Sequence, residues 1–383
     1  MFKKGIICLL LTVSMVFTAT FTAQGAEIGK VDSLDFSYVS TNQIFGEIPD
    51  FIALRIGADE TCPWTEDTTW NDPIPVYDFE DNINGYIFNL TTGGAKAGYI
   101  FYESFGEPGV QAFGYEGEYF ISYVDGYKEN PDCKLIYTGG SGFLFEKDNE
   151  IYDLYTCEKT TFTQDQLVIK YKESRAENLQ AIQQENATME NAISPAIAYP
   201  TVYNITNVFN NYVPSTTEQL ARWSGIPMGD GNCSPTSAIN LIYYYTECRN
   251  NDLRNGSIVS TYTTLVNNYV PISSGSYQER FNGLSNYFIH IGKPYAGRDC
   301  VQYPSWDWMK ANLYNNHNIS ISIDTSSYSP GSTGGHAMNA VGYDETGTRY
   351  LRVVDGWSTH VSNFYRYQAG DAYCRGGFYF RWY

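Results

Sequence analysis

The sequence predicts an α+β fold in two parts: a β-rich N-terminal domain, then a region with helices first and antiparallel strands last. Short segments rich in Tyr, Phe and Ile, broken by Gly and Asp turns, fill the stretch from about Val31 to Ile169. The character changes near Lys170, where Glu, Gln and Ala take over. Near the C-terminus come four alternating or apolar runs: N-I-S-I-S-I-D, H-A-M-N-A-V-G-Y-D, R-Y-L-R-V-V-D-G-W and G-G-F-Y-F-R-W-Y.

The first element is not part of the fold. M-F-K-K precedes an apolar run from Gly5 to Val16, and small polar residues follow to about Ala26. That is the pattern of a secretory signal peptide over residues 1–26, and the run is too short for a membrane span. The chain is therefore expected to be secreted. Its 383 residues carry a formal charge of -18, and losing Lys3 and Lys4 takes this to -18 - 2 = -20. So acidic a chain has no basic footprint for nucleic acid.

Residues 27–169 read as strands and turns, with no helical periodicity of useful length. Tyr86 to Leu90 and Gly98 to Tyr102 form the clearest hairpin, turning at Thr92-Gly93-Gly94. Residues 170–200 read as a helical connector with a thin stripe of Leu179, Ile182, Met189 and Ile193, followed by extended chain. Residues 201–383 form the second domain. In it, Pro235 to Tyr245 and Trp306 to Tyr314 are expected to be helical.

The chemistry concentrates in G-D-G-N-C-S-P-T-S-A-I-N-L-I. Pro235 suits the first turn of a helix, so Cys233 stands at the helix start, where the peptide dipoles favour a thiolate. Gly229 and Gly231 let backbone approach closely. Of the four histidines, His336 opens an apolar strand in G-G-H-A-M-N, as a presented imidazole would. Asp355 ends the following strand and comes within reach of that ring if the two strands pair. Seven cysteines remain once Cys8 leaves with the signal peptide (8 - 1 = 7), and in an oxidising compartment most should pair in disulfides, leaving one odd. The histidines lack metal-ligand spacing and Cys-x-x-Cys is absent, so neither metal nor cofactor is expected.

With those residues in place, the C-terminal half resembles the papain-like cysteine peptidases. More narrowly, it is similar to the secreted bacterial relatives of the peptidases that trim bacteriocin leaders. The resemblance rests on C-x-P-T after the nucleophile, G-H-A-x-x-x-x-G-Y around the histidine, and the Asp on the next strand; Trp357 echoes a tryptophan that follows the third residue in the family. It implies a papain-like domain, its nucleophile helix packed on an antiparallel sheet, with Cys233, His336 and Asp355 as catalytic residues.

One departure is visible. The family glutamine that stabilises the oxyanion falls here on Pro227, which has no donor, leaving Asn232, Asp230 or Gln219 to supply one beside the Cys233 N–H. The N-terminal half is weakly similar to the propeptides of streptopain-like enzymes. That implies latency until cleavage between about Gln184 and Ala198; a wall- or glycan-binding module is the other reading.

The expected activity is hydrolysis of peptides or proteins by a secreted, monomeric enzyme. Cell-wall peptide hydrolysis or transglutaminase-type acyl transfer could use the same trio. A non-catalytic binding protein of the same fold would instead hold Cys233 in a disulfide.

Overall fold

The computed structural model describes residues 38–105, 108–139, 142–155, 157–173, 198–227, 231–272, 276–324, 335–367 and 374–382. Residues 1–37, with the expected signal peptide, and 174–197 of the expected connector lie outside them.

The N-terminal half opens with a helix where strands were expected. Helix α1 (Thr41–Ala58) is capped by Ser40 and buries Ile44, Ile48, Ile52 and Arg55, one stripe at helical spacing. Gly46 and Pro49 lie inside it, and both residue types ordinarily punctuate helices. Strands β1 (Thr69–Trp70), β2 (Ile74–Tyr77), β3 (Ile83–Thr92), β4 (Ala95–Glu103) and β5 (Gly109–Gly114) follow. The β3–β4 pair is the expected hairpin. Its turn at Gly93 and Gly94 has φ of 59° and 81°, a conformation that favours glycine at both positions.

A 3-10 turn (Phe120–Tyr123) and short helix α2 (Asp125–Glu129) precede β6 (Lys134–Gly139), β7 (Gly142–Lys147) and β8 (Glu150–Asp153). Helix α3 occupies residues 164–173, so helix begins before the expected connector.

In the C-terminal half, β9 (Val202–Asn204) leads into helices α4 (Thr217–Ser224) and α5 (Cys233–Tyr243), the latter continued by a π-helical turn to Cys248. Helices α6 (Ile258–Asn268) and α7 (Tyr277–His290) come next, then β10 (Gly297–Gln302) and α8 (Trp306–Tyr314). The chain closes with β11 (Ile319–Asp324), β12 (Gly335–Asp344), β13 (Tyr350–Val354), β14 (Asn363–Arg366) and β15 (Cys374–Arg381). Four of these are the expected closing strands; β14 was not foreseen.

The strands join in one sheet of order β10-β15-β11-β12-β13-β14-β5-β4-β3-β2-β6-β7-β8, with β1 on β3 and β9 on β12. Its pairs are antiparallel except β2 with β6. The two halves meet at β14–β5, where Phe364 faces Phe113 with rings stacked 4.4 Å apart. They are also tied by buried charges. Arg55 on α1 meets Asp344 of β12 at 2.6 Å, and Asp59 meets Arg352 of β13 at 3.4 Å, each side chain at most 1% exposed. Helix α5 packs on β12, and its residues from Ser234 to Ile242 are all buried.

All seven cysteines of the described residues carry free thiols, so the expected disulfides do not form here. Secreted chains favour bridges on average, but a bridge needs two Cβ atoms within about 4.5 Å, and spacing along the chain does not reveal that.

Candidate active site

Cys233 is the first residue of α5, and its thiol is partly exposed. The loop before it is closely fitted. A Cβ on Gly231 would overlap the carbonyl oxygen of Ile272, so only glycine lets the chain turn into the helix there. One helical turn on, the Ser237 hydroxyl donates to the Met338 carbonyl at 3.2 Å and meets the Ser320 hydroxyl at 2.7 Å, fixing α5 against β12 and β11.

The strand beneath is built to receive the sulfur. β12 pairs with β13 only from Asn339 to Asp344, so His336 to Met338 have no partner strand on that edge. Helix α5 packs on this strand, with the Ser237 hydroxyl on the Met338 carbonyl, and the Ala337 N–H acts electrostatically on the Cys233 thiol in the direction that favours the thiolate.

His336 is buried, and its ring is held from two directions. Nε2 lies 2.7 Å from the backbone oxygen of Asp355; a carbonyl can only accept, so Nε2 carries the proton and Nδ1 keeps a lone pair. Trp357 stacks flat on the imidazole, with centroids 3.8 Å apart and planes 9° apart. Phe120 stacks on the same indole at 4.3 Å. Two parallel rings so close to one centroid cannot share a face, so the indole is sandwiched between His336 and a residue of the N-terminal half. Tyr155 adds a further stacked ring 6.0 Å from Trp357.

The Asp355 carboxylate faces its own turn rather than His336. Oδ1 accepts from the N–H groups of Trp357 and Ser358 at 3.0 and 3.1 Å, and Oδ2 from the Asn363 amide at 3.1 Å. Gly356, at φ of 80°, completes the turn, and its carbonyl accepts the N–H of Thr217 at the start of α4. Asp355 therefore reaches the ring, as the sequence anticipates, but through its main chain. An Asp-Gly turn offers both oxygen types at similar range, and sequence cannot distinguish them.

Burial dominates the protonation equilibria. It pushes the Cys233 thiol up, against the N–H groups of Ala337, Ser234 and Cys233 itself and the Arg280 guanidinium, all of which favour the thiolate. The helix start alone therefore does not secure a thiolate, because desolvation outweighs it. Burial brings His336 down to about 4, with the Asp355 carbonyl opposing and Arg280 assisting, so the ring is neutral at pH 7. Asp355 is raised to about 6, again by burial, with the Ser358 and Trp357 N–H groups acting against it.

The remaining candidates fall into other roles. Gln219 closes the capping box of α4, accepting the Thr216 N–H at 3.1 Å. Asn232 is buried with its amide 3.3 Å from the Tyr262 hydroxyl and 3.5 Å from the Pro227 carbonyl. Asp230 lies outside the described residues. His317 stacks on Tyr379 and hydrogen-bonds Asn312; His360 pairs with Glu116 at 2.8 Å; His290 ends α7. Sequence reading missed Arg280, which is fully buried, reaches toward the hydroxyl of Ser234 and acts electrostatically on the Cys233 thiol. Its only signal was a charge inside the amphipathic stretch of α7.

Residues 215–375 match the model of the Peptidase_C39 like family. The match is to a part of the chain, and Cys233, His336 and Asp355 all fall within it. No curated protein matches the chain. Among solved structures, digestive procathepsin L 3 of Tenebrio molitor larval midgut is 13% identical, covering 56% of this chain and 92% of that one, with a TM-score of 0.27. A likeness that low adds nothing to the assignment. The described residues contain no cluster of His, Cys, Asp or Glu able to hold a metal and no helix long and apolar enough to cross a membrane.

Proposed function

We propose that the protein is an exported cysteine peptidase in which Cys233 attacks a peptide carbonyl with His336 as its proton acceptor. The observation that carries this is the packing of α5, which starts at Cys233, on β12, which carries His336, whose tautomer the Asp355 carbonyl fixes. Nδ1 of His336 takes the thiol proton as sulfur bonds to the carbonyl carbon. The same nitrogen then protonates the leaving amine, giving a thioester that water hydrolyses. The Cys233 N–H, in the first turn of α5, is the first oxyanion donor. Asp355 orients the ring through its main chain.

Three finer points belong to this reading. Export rests on the signal-like N-terminus, and Edman sequencing of secreted protein should begin near Ala26 or Glu27. Latency rests on Phe120 and Tyr155, which pack on the tryptophan that covers His336. Action as a monomer on proteins, rather than on cell-wall peptides or in acyl transfer, is the remaining expectation.

Purified chain and its connector-cleaved form, incubated with casein, with peptidoglycan and with an E-64-type epoxide, test the proposal. Casein hydrolysis with labelling at Cys233, both abolished in Cys233→Ala and His336→Ala, is the expected result. Peptidoglycan cleavage without casein cleavage would move the assignment to wall peptides, and no labelling in either form would end it.

A further inference from the structure

Arg280 on α7 is 1% exposed. Its guanidinium donates from Nε to the Ser320 hydroxyl at 2.9 Å, and from Nη2 to the Ser322 hydroxyl at 2.9 Å and the Ile321 carbonyl at 3.1 Å. Nη1 lies 3.5 Å from the hydroxyl of Ser234, the residue after the nucleophile. The Phe378 ring lies 5.4 Å away on one side. Every polar partner is neutral, and no carboxylate among the described residues pairs with this cation.

A buried charge is costly unless something of opposite sign compensates it, so an arginine held only by hydroxyls and one carbonyl is unusual. Arg55 and Arg352, the other arginines buried this deeply, each have an aspartate. The groups that feel the Arg280 charge are the Cys233 thiol, the His336 imidazole and, on β10, the Cys300 thiol. Tyr262, from α6, is the other titratable side chain facing Cys233. No aspartate or glutamate interacts with the sulfur strongly enough to offset the guanidinium.

We propose that Arg280 is the fixed counter-charge of the Cys233 sulfur: a positioning residue that makes the thiolate reachable beside a neutral imidazole. This rests on Cys233 being the nucleophile of the proposed peptidase. The serines of β11 hold the fork in place, and its Nη1 reaches toward Ser234, next to Cys233 in the first turn of α5. A guanidinium suits the task because it stays charged when buried, whereas a lysine in the same place readily loses its proton.

The test is alkylation of Cys233 by iodoacetamide as a function of pH, read by mass of the Cys233 peptide so that the other thiols do not interfere. In Arg280→Met the titration midpoint should rise by a unit or more, which is about a tenfold slower reaction at a fixed pH below it. Arg280→Lys should recover part of the shift. Ser320→Ala removes a hydrogen bond but no charge and should lower the melting temperature more than it moves the midpoint. His336→Ala supplies the decision if the arginine variants do not fold. A midpoint within about half a unit of the parent supports guanidinium control, and a rise of more than a unit assigns the sulfur's partner to His336 and overturns the proposal. An unchanged midpoint in folded Arg280→Met overturns it as well. The readout needs no hydrolysis, so a shifted midpoint in a chain that cleaves no peptide would sink the peptidase reading and leave Arg280 in its role.

Discussion

His336 Nε2 donates to the main-chain carbonyl of Asp355, 2.7 Å away, while the carboxylate of the same residue serves its own turn. A carbonyl cannot be removed by substitution, and that separates two effects usually confounded at such a position. Asp355→Asn should keep the turn and the carbonyl. Its kcat/KM should fall by less than about tenfold, against about ten-thousandfold where a carboxylate itself orients the imidazole. Asp355→Ala strands three donors and should cost on the order of 1–3 kcal/mol in stability. Steady-state kinetics and urea unfolding of the two variants check both statements.

The buried histidines set an acid limit. His336 and His317 both sit at about 4 in the fold, below the ordinary 6.5, so the unfolded chain binds more protons between those values. Their contribution to stability is complete above 6.5 and is lost as pH falls toward 4. Asp355, raised to about 6, acts oppositely: its protonated form favours the fold, a contribution that fades as pH rises from its ordinary value to about 6. Two histidines against one aspartate leave about one proton, so unfolding free energy should rise by about 1.4 kcal/mol per pH unit between pH 4 and 6. Urea titrations across that range measure the slope, and His317→Gln should flatten it.

Activity should follow the same ring. The base is competent only when neutral, so kcat/KM should hold on acidification until pH nears 4, provided the chain stays folded. An acidic limb centred near 6.5 would mean that the imidazole is solvated in the working enzyme.

Trp357 links the His336 ring to the N-terminal half. Trp357→Ala removes the stacks on both His336 and Phe120 and should cost about 2–4 kcal/mol and lower kcat more than it raises KM. Phe120→Ala should leave kcat nearly intact if Phe120 only covers the site. A rise in activity toward large substrates would identify it as part of the latency device.

Cleaving the connector should not release the N-terminal half. Removing it would uncover the β14 edge and leave Asp344 and Arg352 without the partners that α1 provides. Breaking one buried pair costs about 3–5 kcal/mol, so the fragments should co-elute on size exclusion after limited proteolysis. Asp59→Asn should destabilise the intact chain by a similar amount.

Several elements were legible because their signals are local. Gly93-Gly94 permits one tight turn, and the β3–β4 hairpin follows from it. The Cys-x-Pro-Thr start of α5 and the alternation of β11, β12, β13 and β15 likewise depend on neighbours within a few residues. Helix α1 was illegible because Gly46 and Pro49 speak against a helix, and the stripe from Ile44 to Arg55 pays off only against the sheet and Asp344. Strand β14, four residues long, gains its meaning from pairing with β5 some 250 positions earlier.

By itself, the sequence determined that helices come before the closing strands in the C-terminal half, and which sulfur and which imidazole stand at the ends of their elements. Periodicity and capping act over a few residues, and so do these features. Only the tertiary structure decided that Asp355 presents its carbonyl, that Phe120 backs the stack behind His336, and that Arg280 is buried next to Ser234 with no acid paired to it among the described residues. Each depends on which buried groups share one low-dielectric space, and that is set by how distant segments pack.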